Sequence, residues 1–156
     1  MNKQAASEWL TIAYHDLKSA QILYDAEHYT DSIGSDLQQS IEKILKSTLA
    51  FENKKIPKTH DLYEVYDLVT HIDLADNEIN FLYLATEYLK EDRYPNPHYS
   101  LPSREEIKEV LYFCETLFHD VCRKLTITKE ELLNEMDISV KLTNDDKKFS
   151  NQKLKK

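Results

Sequence analysis

Glycine and proline are nearly absent from this chain. Its 156 residues include one glycine, Gly34, and four prolines, at positions 57, 95, 97 and 102. These two residue types are the least favourable in helix interiors, whereas leucine, glutamate, lysine and alanine, which are abundant here, favour the helix. A chain with so few interruptions is predicted to form long helices, and the predicted fold class is all-α.

Apolar residues recur at helical spacing in five segments of the sequence. Recurrence at positions i, i+3, i+4 and i+7 is typical of a helix with one face against a core. The first two segments are separated so briefly that they should form an antiparallel hairpin. The first predicted helix runs from a cap at Ser7 to about residue 28, and the second follows the break at residues 29–30. The third runs from a cap at Thr59 or Asp61 to near Ile72, and the fourth from about residue 76 or 77 to 92. The fifth covers 103–125, where Ser103 and Glu106 have the spacing of a capping box.

The length of the chain fits one domain, because a domain of this size buries enough surface to hold a core. We expect a helical bundle over residues 5–125, followed in residues 126–156 by a short helix and a polar tail. Thr128 and Glu131 have the spacing of a second capping box, which predicts the short helix over 128–136. The lysine-rich composition from residue 144 onward predicts disorder.

The cysteines and the hydropathy indicate a cytoplasmic protein. Cys114 and Cys122 lie eight residues apart in the fifth predicted helix, which separates their Cα atoms by about 12 Å. That distance is too long for a disulfide within the chain. The N-terminus has no secretory signal, and no apolar run is long enough to span a bilayer. We therefore expect a reducing, cytoplasmic environment and no membrane role.

The charge of the chain limits how it could bind nucleic acid. The net charge is −8, and residues 1–125 carry 13 basic and 22 acidic side chains. Affinity for nucleic acid comes mostly from basic contacts with phosphates, so an acidic domain repels a polyanion overall. Any binding of nucleic acid is therefore expected at a local patch.

A short segment between the fourth and fifth predicted helices concentrates residues that can do chemistry. Arg93 supplies a planar fork that grips phosphate, and His98 can give or take a proton near neutral pH. Together they suit cleavage of a phosphodiester: the imidazole deprotonates a 2′-hydroxyl or protonates the leaving oxygen, and the guanidinium neutralises charge on phosphorus. This chemistry requires no metal, and we expect no cofactor. The segment also fits a structural alternative, in which Arg93 caps the fourth helix at a simple corner.

The prolines of this segment bear on how its two functional side chains could meet. Pro95 and Pro97 hold the residues before them extended, so the five steps from Arg93 to His98 could span about 15 Å. A turn at either proline would shorten that distance. Alternatively, a twofold axis could bring Arg93 of one chain toward His98 of a second copy.

Two further polar segments stand out. The second predicted helix reads Gln-Gln-x-x-Glu-Lys-x-x-Lys over residues 38–46. This pattern places four polar residues on adjacent turns beside the apolar stripe: Gln39, Glu42, Lys43 and Lys46. Residues 58–62 read Lys-Thr-His-Asp-Leu and place His60 in the loop that opens the third helix. Taken singly, the first is an ordinary amphipathic helix and the second is a helix cap with a loop histidine.

In combination, these two segments and the sequence Arg-Tyr-Pro at residues 93–95 resemble the HEPN family, the higher eukaryotes and prokaryotes nucleotide-binding domain. The resemblance covers about residues 5–125, with the three motifs in the family's order. It implies an up-and-down antiparallel bundle of four to five main helices that forms a homodimer. It also implies a toxin-type role in a toxin–antitoxin pair with a minimal nucleotidyltransferase, in which active members cut RNA without a metal through an Arg-x4-6-His motif.

The resemblance also implies functional residues. The Arg-x4-6-His motif falls on Arg93 and His98, which are the predicted catalytic residues. Contact with RNA or a nucleotide is predicted for five further residues: Tyr94, Asn96, Tyr99, Lys43 and His60. The chain departs from the active pattern at Tyr94, where a polar residue is usual, and at Ser100, where many members have tyrosine. With the acidic composition, these departures leave open a non-catalytic module that binds nucleotide or RNA or docks a nucleotidyltransferase, and a purely structural oligomerisation bundle.

Overall fold

Five α-helices build the described part of the chain. The structure is a computed structural model, and it describes residues 1–92 and 100–132. The helices are α1 (Lys3–Asp25), α2 (Thr30–Phe51), α3 (Leu62–Tyr66), α4 (Asp76–Asp92) and α5 (Arg104–Leu125). These described ranges contain no strand, and none of their helices is both long and apolar enough to cross a bilayer. The prediction of an all-α fold is confirmed.

α1 and α2 form the predicted antiparallel hairpin. The backbone N–H of Asn2, just before α1, donates to the carbonyl of Phe51, the last residue of α2, at 2.8 Å. Midway along the pair, the Ser40 hydroxyl donates to the Ala13 carbonyl at 2.8 Å. The apolar stripes of both helices are buried in one continuous core, so their contact is driven by removal of apolar surface from water.

α4 and α5 run antiparallel to each other and pack against the hairpin. The rings of Phe81 and Phe113 lie 5.4 Å apart, measured between centroids. Closer to the end of α4, the Tyr88 hydroxyl donates to the Glu106 carboxylate at 2.6 Å. The four long helices therefore form the up-and-down antiparallel bundle that the sequence resemblance implied.

α1 begins earlier than the sequence predicted. Its cap is Asn2, whose side-chain oxygen accepts from the N–H of Ala5 at 3.0 Å. The predicted cap, Ser7, is wrong, because this residue is buried inside the helix and its carbonyl accepts from the Thr11 hydroxyl at 2.9 Å. Asparagine and serine are equally good caps. The fully buried Ala6 extends the apolar stripe toward the N-terminus and requires the earlier start.

α3 is shorter than predicted. Its cap is Asp61, one of the two predicted candidates, whose carboxylate accepts two backbone N–H groups of the first turn at 3.0 and 3.1 Å. The prediction that this helix continues to near Ile72 is wrong, because the chain turns after Tyr66. The Tyr66 hydroxyl accepts from the N–H of Leu74 at 3.0 Å and holds the returning chain against α3.

Of the two predicted capping boxes, one forms completely and the other by half. At the start of α5, the Ser103 hydroxyl accepts from the N–H of Glu106 at 3.1 Å, but the Glu106 carboxylate accepts from the Tyr88 hydroxyl and not from the N–H of Ser103. Thr128 and Glu131 each accept the other's backbone N–H through their side chains, at 3.3 and 3.0 Å. Residues 129–132 are helical and bury Leu132 in the core. The start of the sixth predicted helix is thus confirmed, and the remainder of 128–136 lies outside the described residues.

The two ends of the bundle differ in what they carry. At one end, Lys3 lies 3.9 Å from Glu131, between the start of α1 and the segment after α5. At the other end, the Arg104 guanidinium at the start of α5 donates to the carbonyl of Tyr24 near the end of α1 at 2.9 Å. The connection between α4 and α5 belongs to this second end.

The single glycine lies inside α2, where α4 crosses it closely. A Cβ atom at Gly34 would come within 2.9, 3.0 and 3.2 Å of three atoms of the Tyr88 side chain. Gly34 does not have positive φ, whereas three residues with side chains do within residues 1–92 and 100–132, each just after a helix: Glu27, Asn53 and Thr126. Glycine is the usual residue at such helix ends. The only glycine of the chain therefore serves helix packing, and side-chain-bearing residues adopt the left-handed conformation at the ends.

Candidate functional site

A cluster of polar side chains lies on the buried side of α2. Gln38, Glu42 and Lys46 are spaced four residues apart, so they share one face of the helix, and all three are buried. Charged residues are almost never fully buried unless they are paired. The partners of this cluster are the loop that precedes α3 and the His60 side chain on that loop.

The Glu42 carboxylate is the centre of the cluster. One of its oxygens accepts from the Lys46 ammonium at 2.6 Å, and the other accepts from the Gln38 amide and from the His60 ring, both at 3.0 Å. Burial raises the pKa of Glu42, but the hydrogen bonds from Lys46, His60 and Gln38 and the charge of Lys46 outweigh burial and lower the pKa below its ordinary value. Glu42 is therefore ionised at neutral pH.

The same side chains hold the backbone of the loop. The Gln38 amide donates to the His60 carbonyl at 2.9 Å, and the Lys46 ammonium donates to the Thr59 carbonyl at 3.2 Å. On the other side, the N–H of Leu62 donates to the Thr86 hydroxyl of α4 at 3.1 Å. The loop is fixed between α2 and α4 by hydrogen bonds to two consecutive carbonyls and one N–H.

His60 is the member of the cluster that reaches solvent. Its side chain is 58% exposed, and its Nδ1 faces the Glu42 carboxylate. Because Glu42 is ionised, Nδ1 carries a proton and donates it to Glu42 in the neutral ring and in the imidazolium alike, so Nε2 is an acceptor in the first form and a donor in the second. Nε2 has no hydrogen-bond partner among the described residues and is the nitrogen available to a ligand.

The Gln38 amide is incompletely satisfied. Its nitrogen donates twice, but its oxygen is buried without a hydrogen-bond partner in the described part of the chain. Exchanging the amide oxygen and nitrogen would not help, because both partners of the nitrogen are acceptors. A buried acceptor without a partner costs about 1–3 kcal/mol. The unpaired Gln38 oxygen therefore lowers the stability of the fold, whereas an apolar contact at the same place would not.

Lys43 lies apart from this cluster, although it is adjacent to Glu42 in the sequence. Its ammonium pairs with the Asp16 carboxylate of α1 at 2.5 Å. Neighbouring residues on a helix point about 100° apart, so residue 43 faces α1 while residues 42 and 46 face the loop. Of the predicted RNA-binding residues in the described ranges, His60 joins Glu42, and Lys43 joins the α1–α2 interface.

The other predicted site residues lie outside the described residues: Arg93, Tyr94, Asn96, His98 and Tyr99. The structure does describe the two helix ends that flank this segment, which we call its anchors. α4 ends at Asp92, immediately before the segment, and α5 begins at Arg104, shortly after it.

These anchors are tied to each other and to the hairpin. The Tyr88 hydroxyl of α4 donates to the Glu106 carboxylate of α5 at 2.6 Å, and the Tyr88 ring lies against Gly34 of α2. The Arg104 guanidinium carbon lies 4.4 Å from the centroid of the Tyr24 ring of α1. All four long helices therefore contribute to the frame that carries residues 93–103.

Metal ligation and thiol chemistry find no support in the described ranges. Within residues 1–92 and 100–132, no group of three or more His, Cys, Asp or Glu side chains is placed to hold a metal ion. Burial raises the pKa of Cys114 to about 12 and that of Cys122 to about 11, which keeps both as thiols at neutral pH. Cys114 belongs to the buried hydrophobic core.

A surface groove between α4 and α5 was not predicted. Phe81 and Phe113 line a cavity of about 620 Å³, and Tyr112 beside them is 72% exposed. Three carboxylates and one ammonium also line this groove, from Glu78, Glu105, Glu109 and Lys108. The available signal was the apolar character of α4 on two sides, since such a helix requires a second partner.

Comparison with known proteins places this fold. A model of the HEPN domain matches residues 6–125. The chain belongs to the HEPN family. Two solved structures resemble this HEPN protein. TT1696 from Thermus thermophilus is 23% identical in sequence; the match covers 80% of this chain and 99% of that chain, with a TM-score of 0.67. ST0689, an archaeal HEPN homologue, is 16% identical; the match covers 78% of this chain and 98% of that chain, with a TM-score of 0.61. No curated protein sequence matches the chain. At these identities the two structures establish the HEPN fold alone.

Proposed function

We propose that this HEPN protein is a metal-independent endoribonuclease of the toxin type, that it works as a homodimer, and that it is paired with a minimal nucleotidyltransferase. The observation that carries the proposal is the 2.6 Å hydrogen bond from Tyr88 to Glu106, which fixes the anchors of the segment with Arg93 and His98. A catalytic segment gains from anchors of this kind, because a small misplacement of reacting groups costs a large factor in rate.

The proposed reaction is a transesterification within the RNA. The 2′-oxygen attacks the adjacent phosphorus, and the bond from phosphorus to the 5′-oxygen breaks. His98 takes the 2′-hydroxyl proton or gives a proton to the departing 5′-oxygen. Arg93 neutralises the charge that develops on the phosphoryl oxygens. The products are a 2′,3′-cyclic phosphate and a 5′-hydroxyl, and no redox or metal step is involved.

The dimer supports this chemistry by supplying a second copy of both side chains. Five residue steps, the number from Arg93 to His98, span about 15 Å in an extended chain, which Pro95 and Pro97 favour. A twofold axis near the end of α4 brings the arginine of one copy toward the histidine of the other. One imidazole can then act as base while the other acts as acid.

The test is cleavage of single-stranded RNA in EDTA by the purified chain. We expect cleavage by the native protein and a loss of at least about 100-fold for His98→Ala and for Arg93→Ala, the range typical for removal of a general acid or base or of an oxyanion donor. His119→Ala is the matched control, because His119 is exposed on α5 and is not a predicted site residue. Intact RNA at high protein concentration, or equal cleavage by all variants, refutes the proposal.

The groove between α4 and α5 favours a second candidate function, docking of the nucleotidyltransferase without catalysis. Its apolar floor suits a buried side chain of the partner, and the carboxylates of Glu78, Glu105 and Glu109 outnumber the ammonium of Lys108. A partner surface with basic residues around an apolar anchor is complementary to this groove.

Co-purification with the nucleotidyltransferase tests this second candidate. We expect Tyr112→Ala to weaken the complex, because aromatic side chains dominate the energetics of interfaces. Tyr29→Ala is the control, since Tyr29 is 70% exposed, close to the 72% of Tyr112, at the start of α2. Equal retention of the partner by both variants excludes the groove as the docking site.

A further inference from the structure

We infer that His60, as the imidazolium, donates from Nε2 to a phosphate group of single-stranded RNA, on a surface that also includes Lys55, Lys58 and the stacked pair Tyr63 and Tyr83. The choice of RNA as the ligand rests on the proposed function. The surface itself lies on the loop before α3 and on α4, and its residues are separate from the Arg93–His98 segment.

The His60 ring is pre-organised for an outward contact. An exposed histidine normally samples several rotamers, and the loss of this rotamer entropy on binding weakens the affinity for a ligand. Here the Glu42 carboxylate holds Nδ1 at 3.0 Å, and the Gln38 amide holds the His60 carbonyl at 2.9 Å. Both ring and backbone are fixed while the side chain remains 58% exposed. Nε2 is thereby presented to solvent in one orientation.

The cost of the cluster behind His60 also points to a role beyond stability. Apolar residues of similar volume often hold two elements together as well as, or better than, a buried ion pair. The cluster instead buries Glu42 and Lys46 and leaves the oxygen of Gln38 without a partner in the described residues. What these polar groups provide, and apolar groups would not, is the fixed orientation of the imidazole.

Unpaired positive charge is concentrated in the short segment of the chain that leads to His60. Lys55 and Lys58 are exposed and form no ion pair within the described residues. Lys54, next to them, is paired with Glu52. In a chain of net charge −8, these two ammonium groups and the imidazole make the local patch that binding of a polyanion requires.

Two acidic side chains at His60, Asp61 on the loop and Glu42 on α2, are already engaged. Asp61 accepts the N–H groups of Tyr63 and Glu64 at the start of α3, at 3.0 and 3.1 Å. Glu42 is buried behind the ring and is neutralised by Lys46 at 2.6 Å. Glu64, in α3, is exposed, so the basic patch does not extend onto the side of α3 where this carboxylate lies.

A stacked aromatic pair lies next to the patch. The Tyr63 and Tyr83 rings are 5.1 Å apart between centroids, with planes inclined by 19°, and Tyr83 is 51% exposed. Tyr63 belongs to the first turn of α3, directly after the loop, so the ring of Tyr83 that stacks on it also lies beside the loop. Exposed aromatic faces stack on unpaired bases, at about 1–3 kcal/mol per base. Bases are available for such stacking in single strands and not in a duplex.

The position of Tyr83 connects this surface with the proposed catalytic segment. Tyr83 lies nine residues before Asp92, the end of α4, which corresponds to about 14 Å along the helix axis. A short single strand can therefore contact the tyrosine pair and His60 while another of its phosphates reaches the segment that follows α4.

Fluorescence anisotropy with a labelled hexaadenylate tests the inference. The oligonucleotide carries 2′-O-methyl riboses, so it cannot be cleaved and binding is measured independently of activity. We expect His60→Ala and Tyr83→Ala each to weaken binding at least about fivefold, the lower bound for loss of one stacked base. Lys58→Ala should lower the slope of log affinity against log salt by about 0.7, the value for one phosphate contact in a single strand.

Two further variants separate binding from folding. His60→Asn keeps an N–H that can donate to Glu42 and removes Nε2, so it should fold normally and still bind weakly. His71→Ala is the matched control, because His71 is 63% exposed and also contacts a carboxylate, that of Glu52 at 2.7 Å. Native affinity in His60→Asn, or equal weakening by His71→Ala, overturns the inference.

Competition with free ligands identifies the source of the phosphate. Inorganic phosphate and AMP should compete only weakly with the oligonucleotide, because each supplies one phosphate and at most one base. If AMP binds more tightly than the oligonucleotide, the surface is a nucleotide site and the assignment to RNA is wrong. If the native chain binds the oligonucleotide through His60 but leaves cleavable RNA intact, the proposed ribonuclease fails and the RNA contact stands.

Discussion

Replacement of Gly34 by alanine tests the packing that holds the frame around residues 93–103. In an isolated helix, alanine is more favourable than glycine by about 1 kcal/mol. In this structure the new Cβ would lie 2.9 Å from Cγ of Tyr88. That atom belongs to the inner part of the side chain, close to the backbone of α4, so it cannot move aside without moving the ring or the helix.

The expected net effect is a loss of stability. Overpacking of a closed contact costs about 1–3 kcal/mol. Displacement of the ring also strains the 2.6 Å hydrogen bond from Tyr88 to Glu106, and a hydrogen bond to a charged group contributes about 1.5–3 kcal/mol when intact. Partial loss of that bond and the overpacking outweigh the helix propensity, so we expect Gly34→Ala to lower the free energy of unfolding by about 2 kcal/mol, or Tm by roughly 4–8 °C.

Urea denaturation followed by circular dichroism measures this change. The decisive control is the same substitution in a Tyr88→Ala background, where the ring is absent. There Gly34→Ala should stabilise the protein by about 1 kcal/mol, because only the helix propensity remains. Stabilisation of that size in the native background would show that α2 and α4 do not approach as closely as described, and would refute the reasoning.

Three other properties of the chain can be predicted in the same way. Because the pKa of Glu42 is lowered in the folded chain, its ionised carboxylate stabilises the fold above about pH 4.3, and this stabilisation is lost as the pH falls further. The urea midpoints of Glu42→Gln and of the native chain should therefore differ at pH 7 and converge in acid. Thr126→Gly should raise the free energy of unfolding by about 0.5–1 kcal/mol, because the cost of a left-handed threonine exceeds the extra entropy of glycine; an unchanged urea midpoint would contradict this. Cys114, with a pKa of about 12, should react with a thiol reagent only as fast as the protein unfolds, and rapid labelling of the native chain would count against its burial.

The long helices could be predicted because their signals are local. α5 follows from Ser103, Glu106 and an apolar stripe, all within one segment of sequence, and its observed span agrees with the prediction. The start of α1 was misplaced because Asn2 and Ser7 are both acceptable caps, and only packing of Ala6 in the core decides between them. The end of α3 depends on the contact of Tyr66 with Leu74, which no local pattern specifies.

The polar cluster could be predicted only in part. The sequence identified Glu42 and His60 as members of two motifs, but their contact joins residues 18 positions apart and arises from the crossing of a loop over α2. The sequence also grouped Lys43 with Lys46, although the helix directs them to different neighbours. The sequence motifs therefore identified the helix and the loop that contact each other, and the tertiary structure was required to show which of their side chains form hydrogen bonds.

The contact of Lys3 with Glu131 has a practical consequence for experiments on this protein. α5 contains 22 residues, or about 33 Å of helix, and separates that contact from the end where α4 and α5 are joined. A fluorophore or an immobilisation handle attached beside residue 3 therefore stands well clear of the segment that joins α4 and α5. Measurements of RNA binding need a different position, because the Asn2 side chain donates to Asn53, two residues before Lys55.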